Sequence, residues 1–380
     1  MSGQKIYLDY AAATPVDPAV LKAMLPYFTE IFYNPSATYK AALSAHKDLE
    51  TARAKAAHWL GARDSEIIFL AGGTEANNLA VHGVMRRYPK AGLLISSVEH
   101  ESVRLPAEQY GGREIAVSSD GRIDMLNLKH KITDETVLIS VMYANNEIGT
   151  VQPIREIARL VKEVRADRLG RGVELPLYLH ADACQAGNYL DLHVARLGVD
   201  LMSVNGGKVY GPKQSGLLYV KSGVRLEPLV FGGGQERGLR SGTENVAADI
   251  GFSVALELAQ KTRHEESARL QKLQKQFIEQ LQAIKPDIYI NGSLKRRLPN
   301  NIHVTIPGQD NERLLIQLDE AGILAAAGSA CSADSGEPSH VLTAIGLSDD
   351  DAQSSLRFTI GRQTTTAMVE HTMKILRQLV

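Results

Sequence analysis

Short apolar runs alternate with stretches of helical periodicity from the N-terminus to Val220. The apolar runs have the length of buried strands and lie at residues 66–71, 91–97, 137–143, 177–185 and 200–205. Stretches with helical periodicity lie between several of them, at residues 41–60, 76–81 and 153–164. This alternation predicts an α/β fold whose large domain has a mostly parallel sheet covered by helices.

The pattern changes after Pro228. Residues 231–245 are rich in glycine and predict a loop that is either disordered or ordered by a ligand or partner surface. One or two long helices follow, and the remaining strands and helices predict a smaller α+β domain. We expect the large domain to span residues 15–250 and the small domain to combine residues 1–14 with 251–380.

Composition excludes several classes of protein. The 380 residues are 44% hydrophobic and 22% charged, as in ordinary globular proteins, and the net charge of -1 argues against binding to nucleic acid or to an anionic membrane. No apolar run is long enough to span a bilayer, and the N-terminus has no signal-peptide pattern. Two cysteines, Cys184 and Cys331, exclude a disulfide framework or a four-cysteine metal site within one chain, which predicts a cytoplasmic protein with reduced thiols and no bound metal.

An acid and an amine end two neighbouring strands. Asp182 follows the run that begins at Leu177, and Lys208 follows the next run in a glycine-rich turn. Ligands of open α/β sheets bind where strand ends meet loops. There the lysine would form a Schiff base with pyridoxal phosphate, and the acid would keep its pyridine nitrogen protonated. An ion pair between two strand ends is the alternative.

Three further polar segments follow strands of the same predicted sheet. Residues 72–75 lie between a strand and a helix, where backbone N–H groups and Thr74 would bind an anion, although an ordinary capping turn has the same pattern. His100 is either structural or stacks on a flat ring, and residues 144–149 form a polar turn at the same edge.

Two residues of the C-terminal third, Cys331 and Arg357, are candidates for a functional site. Cys331 lies among serine, alanine, glycine and aspartate, with no apolar stripe to join, so we expect it on a mobile loop; Cys184 is expected to be structural. Arg357 lies in an apolar strand and needs a carboxylate, either from a substrate or from an acid of the chain.

Taken together, these segments resemble the cysteine desulfurases of the NifS/IscS type, within the fold type I pyridoxal-phosphate enzymes. The resemblance covers nearly the whole chain, from Tyr7 to Phe358. The most specific motifs are residues 73–75, 145–149, 232–243, 328–331 and 337–340.

The resemblance implies a role for each matching residue. Lys208 would be the Schiff-base lysine, and Cys331 would be the nucleophile on a long catalytic loop. The residues expected to hold the cofactor are Gly73, Thr74, His100 (stacked on the ring), Asn146, Asp182, Gln185, Asn205, Gly207 and, from the partner subunit of a homodimer, Thr243. Arg357, with Asn34 and Asn146, would bind the substrate L-cysteine.

The chain departs from the family beside the lysine. Gly207 stands where the family usually has a histidine, Asn205 where it has a phosphate-binding serine, and Gln214 where it has a glycine. Loss of a phosphate-binding side chain should weaken cofactor binding by about 1–3 kcal/mol, and the Gly207 N–H or the Asn205 amide would recover part of that.

The implied function is conversion of L-cysteine to L-alanine, with a persulfide on Cys331. Its sulfur would pass to an acceptor or an iron–sulfur scaffold protein. Two alternatives remain at this stage: another fold type I enzyme, such as a selenocysteine lyase or an aminotransferase, or a weakened cofactor-binding partner protein. The housekeeping members of the family have a further C-terminal tail that helps to dock the scaffold, whereas this sequence ends at Val380, so the resemblance does not carry over the docking mode, although it does carry over the chemistry.

Overall fold

The computed structural model describes residues 5–328 and 338–380, and within them three sheets are covered by helices. The strands are β1 (Ile6–Tyr7), β2 (Ile67–Leu70), β3 (Gly92–Ser96), β4 (Arg113–Ile115), β5 (Thr136–Ser140), β6 (Tyr178–Asp182), β7 (Leu201–Asn205), β8 (Gly216–Val220), β9 (Tyr289–Ile290), β10 (Asn301–Thr305), β11 (Ile323–Leu324) and β12 (Ser355–Thr359). The helices are α1 (Pro18–Met24), α2 (Pro26–Thr29), α3 (Lys40–Leu60), α4 (Gly73–Arg87), α5 (Glu101–Glu108), α6 (Met125–Lys131), α7 (Ile154–Gly170), α8 (Val194–Leu197), α9 (Val246–Ile284), α10 (Asn311–Glu320), α11 (His340–Ala344), α12 (Asp349–Gln353) and α13 (Thr366–Leu379).

The large sheet has seven strands in the order β2-β8-β7-β6-β5-β3-β4. Only β8 runs against the others, because it pairs antiparallel with both β2 and β7. The pairs among β3, β4, β5, β6 and β7 are parallel. This arrangement confirms the predicted, mostly parallel α/β sheet.

Helices cover both faces of this sheet because its strands are apolar on both faces. In β2, Ile67 and Phe69 join a core with α3, α7 and the first part of α9, whereas Ile68 and Leu70 join a core with α4 and α5. Such continuous apolar strands are typical of sheets buried on both sides. Apart from the edge strand β4, the strands are therefore buried along their length, and at the carboxyl edge their ends carry polar residues.

A separate hydrophobic core lies around the antiparallel sheet β9-β10-β12 and the parallel pair β1-β11. The second half of α9 contributes Phe277, which packs on Phe358 with ring centroids 5.1 Å apart. The predicted domain boundary at residues 250/251 falls inside α9, so the two-domain division stays a prediction. Within the described ranges, no helix has the length and apolar character needed to cross a membrane.

An internal ion pair holds the glycine-rich segment in place. Glu236 is buried and accepts from both terminal nitrogens of Arg53, at 2.7 and 2.8 Å, and from the Phe69 N–H at 2.8 Å. The sequence predicted that this loop is either disordered or ordered by a ligand or a partner surface. In the structure a buried arginine of α3 holds the loop from within the chain, and its contact with a ligand or a partner surface stays a prediction.

Candidate active site

A cavity of about 200 Å³ lies at the carboxyl edge of the large sheet, where β2, β3, β5, β6 and β7 end. Nine of the residues predicted for the site line it: Gly73, Thr74, His100, Asn146, Asp182, Gln185, Asn205, Lys208 and Arg357. The parallel strands explain this convergence, because parallel strands bring their carboxyl ends to one edge.

Asp182 is the last residue of β6 and is buried. Its Oδ1 accepts from the Cys184 N–H at 2.9 Å, and its Oδ2 accepts from Asn77 Nδ2 at 2.8 Å. The side chain is therefore held from both oxygens by donors of the chain. A carboxylate fixed in this way keeps one orientation and still has lone pairs that can accept from a ligand.

Lys208 ends a short 3₁₀ turn, residues 206–208, that follows β7. Its Nζ donates to the backbone carbonyl of Ala11 at 2.8 Å and to that of Ala12. Asn188 Nδ2 donates to the Lys208 carbonyl at 2.7 Å, which fixes the backbone at this point. Segments far apart in the chain thus hold the amine in the cavity wall.

The segment after β2 forms an anion cradle. Helix α4 begins at Gly73, and the first N–H groups of a helix have no partner within it. A Cβ at position 73 would lie 2.5 Å from Cys184 Sγ, so only glycine fits there. Asn205 Oδ1 accepts from the Gly207 N–H at 2.9 Å, which turns Asn205 Nδ2 toward Gly73.

His100 caps the N-terminus of α5. Its Nδ1 accepts from the Ser102 backbone N–H at 3.1 Å and lies 2.8 Å from Ser102 Oγ. The ring lines the cavity together with Asn77 and Asp182.

Arg357 is buried in β12 and has an acidic partner within the chain. Its Nη2 donates to Asp9 Oδ1 at 2.7 Å, and its Nη1 donates to the Asn146 carbonyl at 3.0 Å. The side chain also lines the cavity. Both predicted surroundings of Arg357, an acid of the chain and a ligand cavity, are thus present.

Three predicted site residues do not line this cavity. Gly207 lines a neighbouring cavity shared with Thr74 and Lys208, which lies on the side of the anion cradle. Asn34 is exposed, with its Oδ1 accepting from the Ser36 N–H at 2.9 Å, and Thr243 is exposed on the glycine-rich segment. Cys331 lies outside the described residues.

The sequence interpretation missed several residues of the site. Asn77 and Ser102 lie in the cavity wall and bond to each other, with Asn77 Nδ2 donating to Ser102 Oγ at 2.9 Å. Asn77 lies four residues after Gly73 on α4, so helical spacing from the cradle was the available signal. Cys184, expected to be structural, also lines the cavity; burial and the neighbouring Asp182 raise the pKa of its thiol.

Buried ionisable groups surround the cavity. Burial raises the pKa of Glu99, whose Oε1 accepts from the Met142 N–H at 2.6 Å. Burial lowers the pKa of His180 to about 4, so this imidazole is neutral at pH 7 between Ser140 and Ser203.

The donor set fits pyridoxal phosphate. A fixed carboxylate, an amine, an imidazole and a helix N-terminus around a cradle that admits only glycine match its pyridine nitrogen, aldehyde, ring face and phosphate. Such a site at the carboxyl edge of a mostly parallel sheet of seven strands with one reversed defines the fold type I class of enzymes that use this cofactor.

Comparison with known proteins identifies the family. The sequence matches the aminotransferase class-V family model over residues 6–371. It is 39% identical to cysteine desulfurase IscS of Clostridium botulinum (strain Hall), over 99% of this chain and 94% of that protein. It is 41% identical to cysteine desulfurase IscS 1 of Archaeoglobus fulgidus, over 97% of this chain and 95% of that protein. A solved NifS-like protein superposes with a TM-score of 0.91 at 30% identity, over 99% of both chains. The chain belongs to the class-V aminotransferase family.

Proposed function

We propose that this chain is a pyridoxal-phosphate-dependent cysteine desulfurase, which converts L-cysteine to L-alanine and transfers the sulfur through a persulfide on Cys331. The observation that carries the proposal is the cavity in which Asp182, His100 and Lys208 meet beside the Gly73 cradle. The relatives named cysteine desulfurase match almost the full length of the chain, which favours this activity over other fold type I reactions.

Each side chain has a chemical role in this proposal. The bound cofactor supplies an electron sink for bond changes at the substrate's α- and β-carbons. Asp182 holds the pyridine nitrogen in its protonated form, and Lys208 Nζ anchors the cofactor and moves the substrate's α-proton. His100 packs on the ring, and Asn205 Nδ2 with the α4 N-terminus binds the phosphate.

Arg357 binds the substrate, and Cys331 reacts with it. The guanidinium of Arg357, oriented by Asp9, binds the cysteine carboxylate together with the side chains of Asn146 and Asn34. The Cys331 thiolate attacks the substrate sulfur, the C–S bond breaks as the S–S bond forms, and protonation of the carbon product gives alanine. The persulfide sulfur then passes to an acceptor thiol or an iron–sulfur scaffold protein.

The first test is product analysis with purified protein, pyridoxal phosphate and L-cysteine. We expect sulfide, in the presence of a thiol reductant, and alanine in equal amounts. Cys331→Ser should abolish sulfide release and keep the cofactor absorbance. Cys184→Ser is the matched control and should keep turnover, because the raised pKa of Cys184 leaves it a protonated thiol. Full turnover by Cys331→Ser would exclude the proposed nucleophile, and alanine formed without sulfide would exclude a desulfurase.

We also infer a homodimer that shares its two sites. Thr243 is exposed and lines neither cavity beside Lys208, which suits a side chain that reaches the phosphate site of a partner subunit. The first three helices pack on α9 and expose an apolar surface formed by Leu21, Leu25, Phe28, Phe32, Tyr39 and Leu43. A surface of this composition is typical of a subunit interface.

Mixing two variants tests the shared site. If each site combines Lys208 of one subunit with Thr243 of the other, a hybrid of Lys208→Ala and Thr243→Ala subunits has one fully wild-type site. Denaturing and refolding the two variants together should therefore recover activity that neither shows alone. A monomer by light scattering, or no recovery from a confirmed hybrid, would contradict the shared site.

We also propose that the chain acts in the cytoplasm and passes its sulfur to a small thiol or an iron–sulfur scaffold protein. Transfer can be followed with ³⁵S-labelled cysteine, which should label Cys331 and lose the label to a small thiol or a candidate scaffold protein. Labelling of Cys184 instead would contradict the proposed route.

A further inference from the structure

Two buried side chains connect the acid and the imidazole of the candidate site. Asn77 of α4 and Ser102 of α5 are both buried, and neither was assigned a role by the sequence. Asn77 Nδ2 lies 2.8 Å from Asp182 Oδ2 and 2.9 Å from Ser102 Oγ. Ser102 Oγ in turn lies 2.8 Å from His100 Nδ1. A continuous chain of hydrogen bonds therefore runs from Asp182 to His100.

The chemistry of the partners fixes the direction of every bond in this chain. A carboxylate only accepts, so the Asn77 amide must direct its NH₂ group toward Asp182. The two amide hydrogens then go to Asp182 and to Ser102 Oγ. Ser102 Oγ accepts from Asn77, and it donates its own hydrogen to His100 Nδ1 provided that this nitrogen is unprotonated.

A second donor settles the state of His100. The Ser102 backbone N–H also points at Nδ1, at 3.1 Å, and a backbone N–H can only donate. Nδ1 is therefore the unprotonated nitrogen, and the ring proton lies on Nε2.

The remaining atom of Asn77 supports a positioning role. Among the residues that the structure describes, Asn77 Oδ1 has no hydrogen-bond partner, although the side chain is only 1% exposed. An unpaired buried carbonyl oxygen is unfavourable and needs an explanation. Here the orientation that leaves Oδ1 unpaired is the one that gives both amide hydrogens to Asp182 and Ser102.

We propose that Asn77 and Ser102 are positioning residues that orient Asp182 toward the cofactor ring nitrogen and hold His100 as its Nε2–H tautomer. Asn77 acts on both groups, and Ser102 acts on His100 alone. The orienting effect on the cofactor rests on the proposed function, whereas the tautomer of His100 does not. His100 then meets the cofactor and substrate as a hydrogen-bond donor through Nε2.

Two variants separate the two halves of the chain of bonds. Ser102→Ala removes the hydroxyl but keeps the Ser102 backbone N–H and the Asn77–Asp182 bond. Asn77→Ala removes the bond from Asn77 to Asp182 and the bond from Asn77 to Ser102. Ser102→Thr keeps the hydroxyl and serves as the matched control. The readouts are the ¹⁵N NMR signals of His100, identified by their loss in His100→Gln, the cofactor dissociation constant, and kcat and KM for L-cysteine.

The wild-type apoprotein should show one His100 form, with Nε2 protonated. Ser102→Ala should move the Nδ1 resonance toward that of an imidazole nitrogen with fewer donors, lower kcat roughly tenfold and leave the cofactor dissociation constant within about twofold. Asn77→Ala should move the same resonance and also weaken cofactor binding roughly tenfold, because it removes a donor to a carboxylate. Ser102→Thr should behave as the wild type.

Two results would overturn the proposal. One is a wild-type His100 protonated on Nδ1. The other is an unchanged Nδ1 resonance and unchanged cofactor binding in Ser102→Ala and Asn77→Ala, with only the free energy of unfolding reduced, since the pair would then merely pack α4 on α5. The NMR and cofactor measurements do not require turnover. A protein that shows the expected signals but releases no sulfide would contradict the proposed function and leave this inference intact.

Discussion

At the scale of single residues, Gly207 offers a direct test of how the chain holds the cofactor. A Cβ at this position would meet its nearest neighbour, Asn205 Oδ1, at 3.5 Å, and the backbone is outside the left-handed region. A histidine should therefore fit. Because it would add a donor beside the anion cradle, we expect Gly207→His to lower the cofactor dissociation constant by roughly tenfold, measured by absorbance titration of the apoprotein.

Gly73→Ala should have the opposite effect on cofactor binding. Its Cβ would lie 2.5 Å from Cys184 Sγ, so the cradle must distort and cofactor binding should weaken. Equal affinities of Gly207→His and the wild type would show that the Asn205 amide and the helix N-terminus already compensate for the missing side chain.

Gln214, a few residues after this turn, carries backbone strain. Its φ of 56° lies in the left-handed region, where residues other than glycine are disfavoured. Gln214→Gly should raise the free energy of unfolding by about 0.5–1 kcal/mol, after allowing for the greater freedom of glycine in the unfolded chain. Denaturant unfolding of the apoprotein measures this effect. Gln214→Ala keeps the strain and should bring no gain; a gain as large as that of glycine would assign the cost to the side chain instead.

Individual site residues were predictable from sequence where their chemistry is rare. Asp182 ends one apolar strand and Lys208 follows the next, and the parallel strand order brings them to one cavity. Asn77 and Ser102 were not predicted, because amides and hydroxyls on helices are common and only the packing of α4 on α5 brings them together. Asp9, the partner of Arg357, was likewise not predicted, because the two residues lie 348 positions apart in the sequence.

At the scale of elements, apolar runs located the buried strands well but not their ends. The run at residues 137–143 continues past Ser140, where β5 stops, because Val141 joins the core beneath α7 and Met142 joins a small cluster with residues of α11. Helix α4 begins at Gly73, earlier than propensity suggests, and a Cβ on this first residue would lie 2.5 Å from Cys184 Sγ. Pairing β1 with β11 joins distant segments and has no local signal.

The glycine-rich segment depends on one buried ion pair. Glu236 and Arg237 both have left-handed φ angles, of 44° and 58°, and the bidentate contact with Arg53 holds them there. Removing one partner of a buried pair leaves an uncompensated charge, so Arg53→Met should reduce the free energy of unfolding by about 3–5 kcal/mol.

Urea unfolding measures the loss, and a double-mutant cycle isolates the pair. Arg53→Met combined with Glu236→Gln should cost less than the sum of the single variants, because the second change removes the stranded charge. Additive losses would mean that Arg53 acts through its packing on Phe69, whose ring centroid lies 4.8 Å from the guanidinium carbon.

At the scale of the whole molecule, α9 connects two cores that otherwise share few elements. Its first half buries Phe252 against Phe69, and its second half buries Phe277 against Phe358. Asp182 and Lys208 line the cavity from the large sheet, and Arg357 lines it from the smaller antiparallel sheet. Site geometry therefore depends on the integrity of both cores.

The large sheet and the smaller antiparallel sheet each contain a buried neutral histidine. His180 lies in β6 and His303 in β10, and burial is the main cause that lowers the pKa of His180 to about 4 and that of His303 to about 3. An unfolded histidine has a pKa of about 6.5, so the unfolded state binds more protons below that pH. The stability that each histidine contributes is complete above about pH 6.5 and declines as the pH falls toward the folded value.

This linkage predicts that the contribution of the two histidines to the free energy of unfolding decreases from about pH 6.5 downward, with His180 alone accounting for roughly 3 kcal/mol by about pH 4. The buried carboxyls Glu99 and Asp249 have raised pKa values and act in the opposite direction, so the histidine variants isolate the effect. Urea unfolding at several pH values between about 5 and 8 measures it. His180→Gln and His303→Gln should each flatten the slope below about pH 6.5, whatever their constant cost, whereas the exposed His130→Gln should leave the slope unchanged. Because the two histidines lie in different sheets, their effects on the slope should add in the double variant. A slope below about pH 6.5 that neither histidine variant changes would mean that both imidazoles can be protonated in the folded chain, which contradicts their buried surroundings.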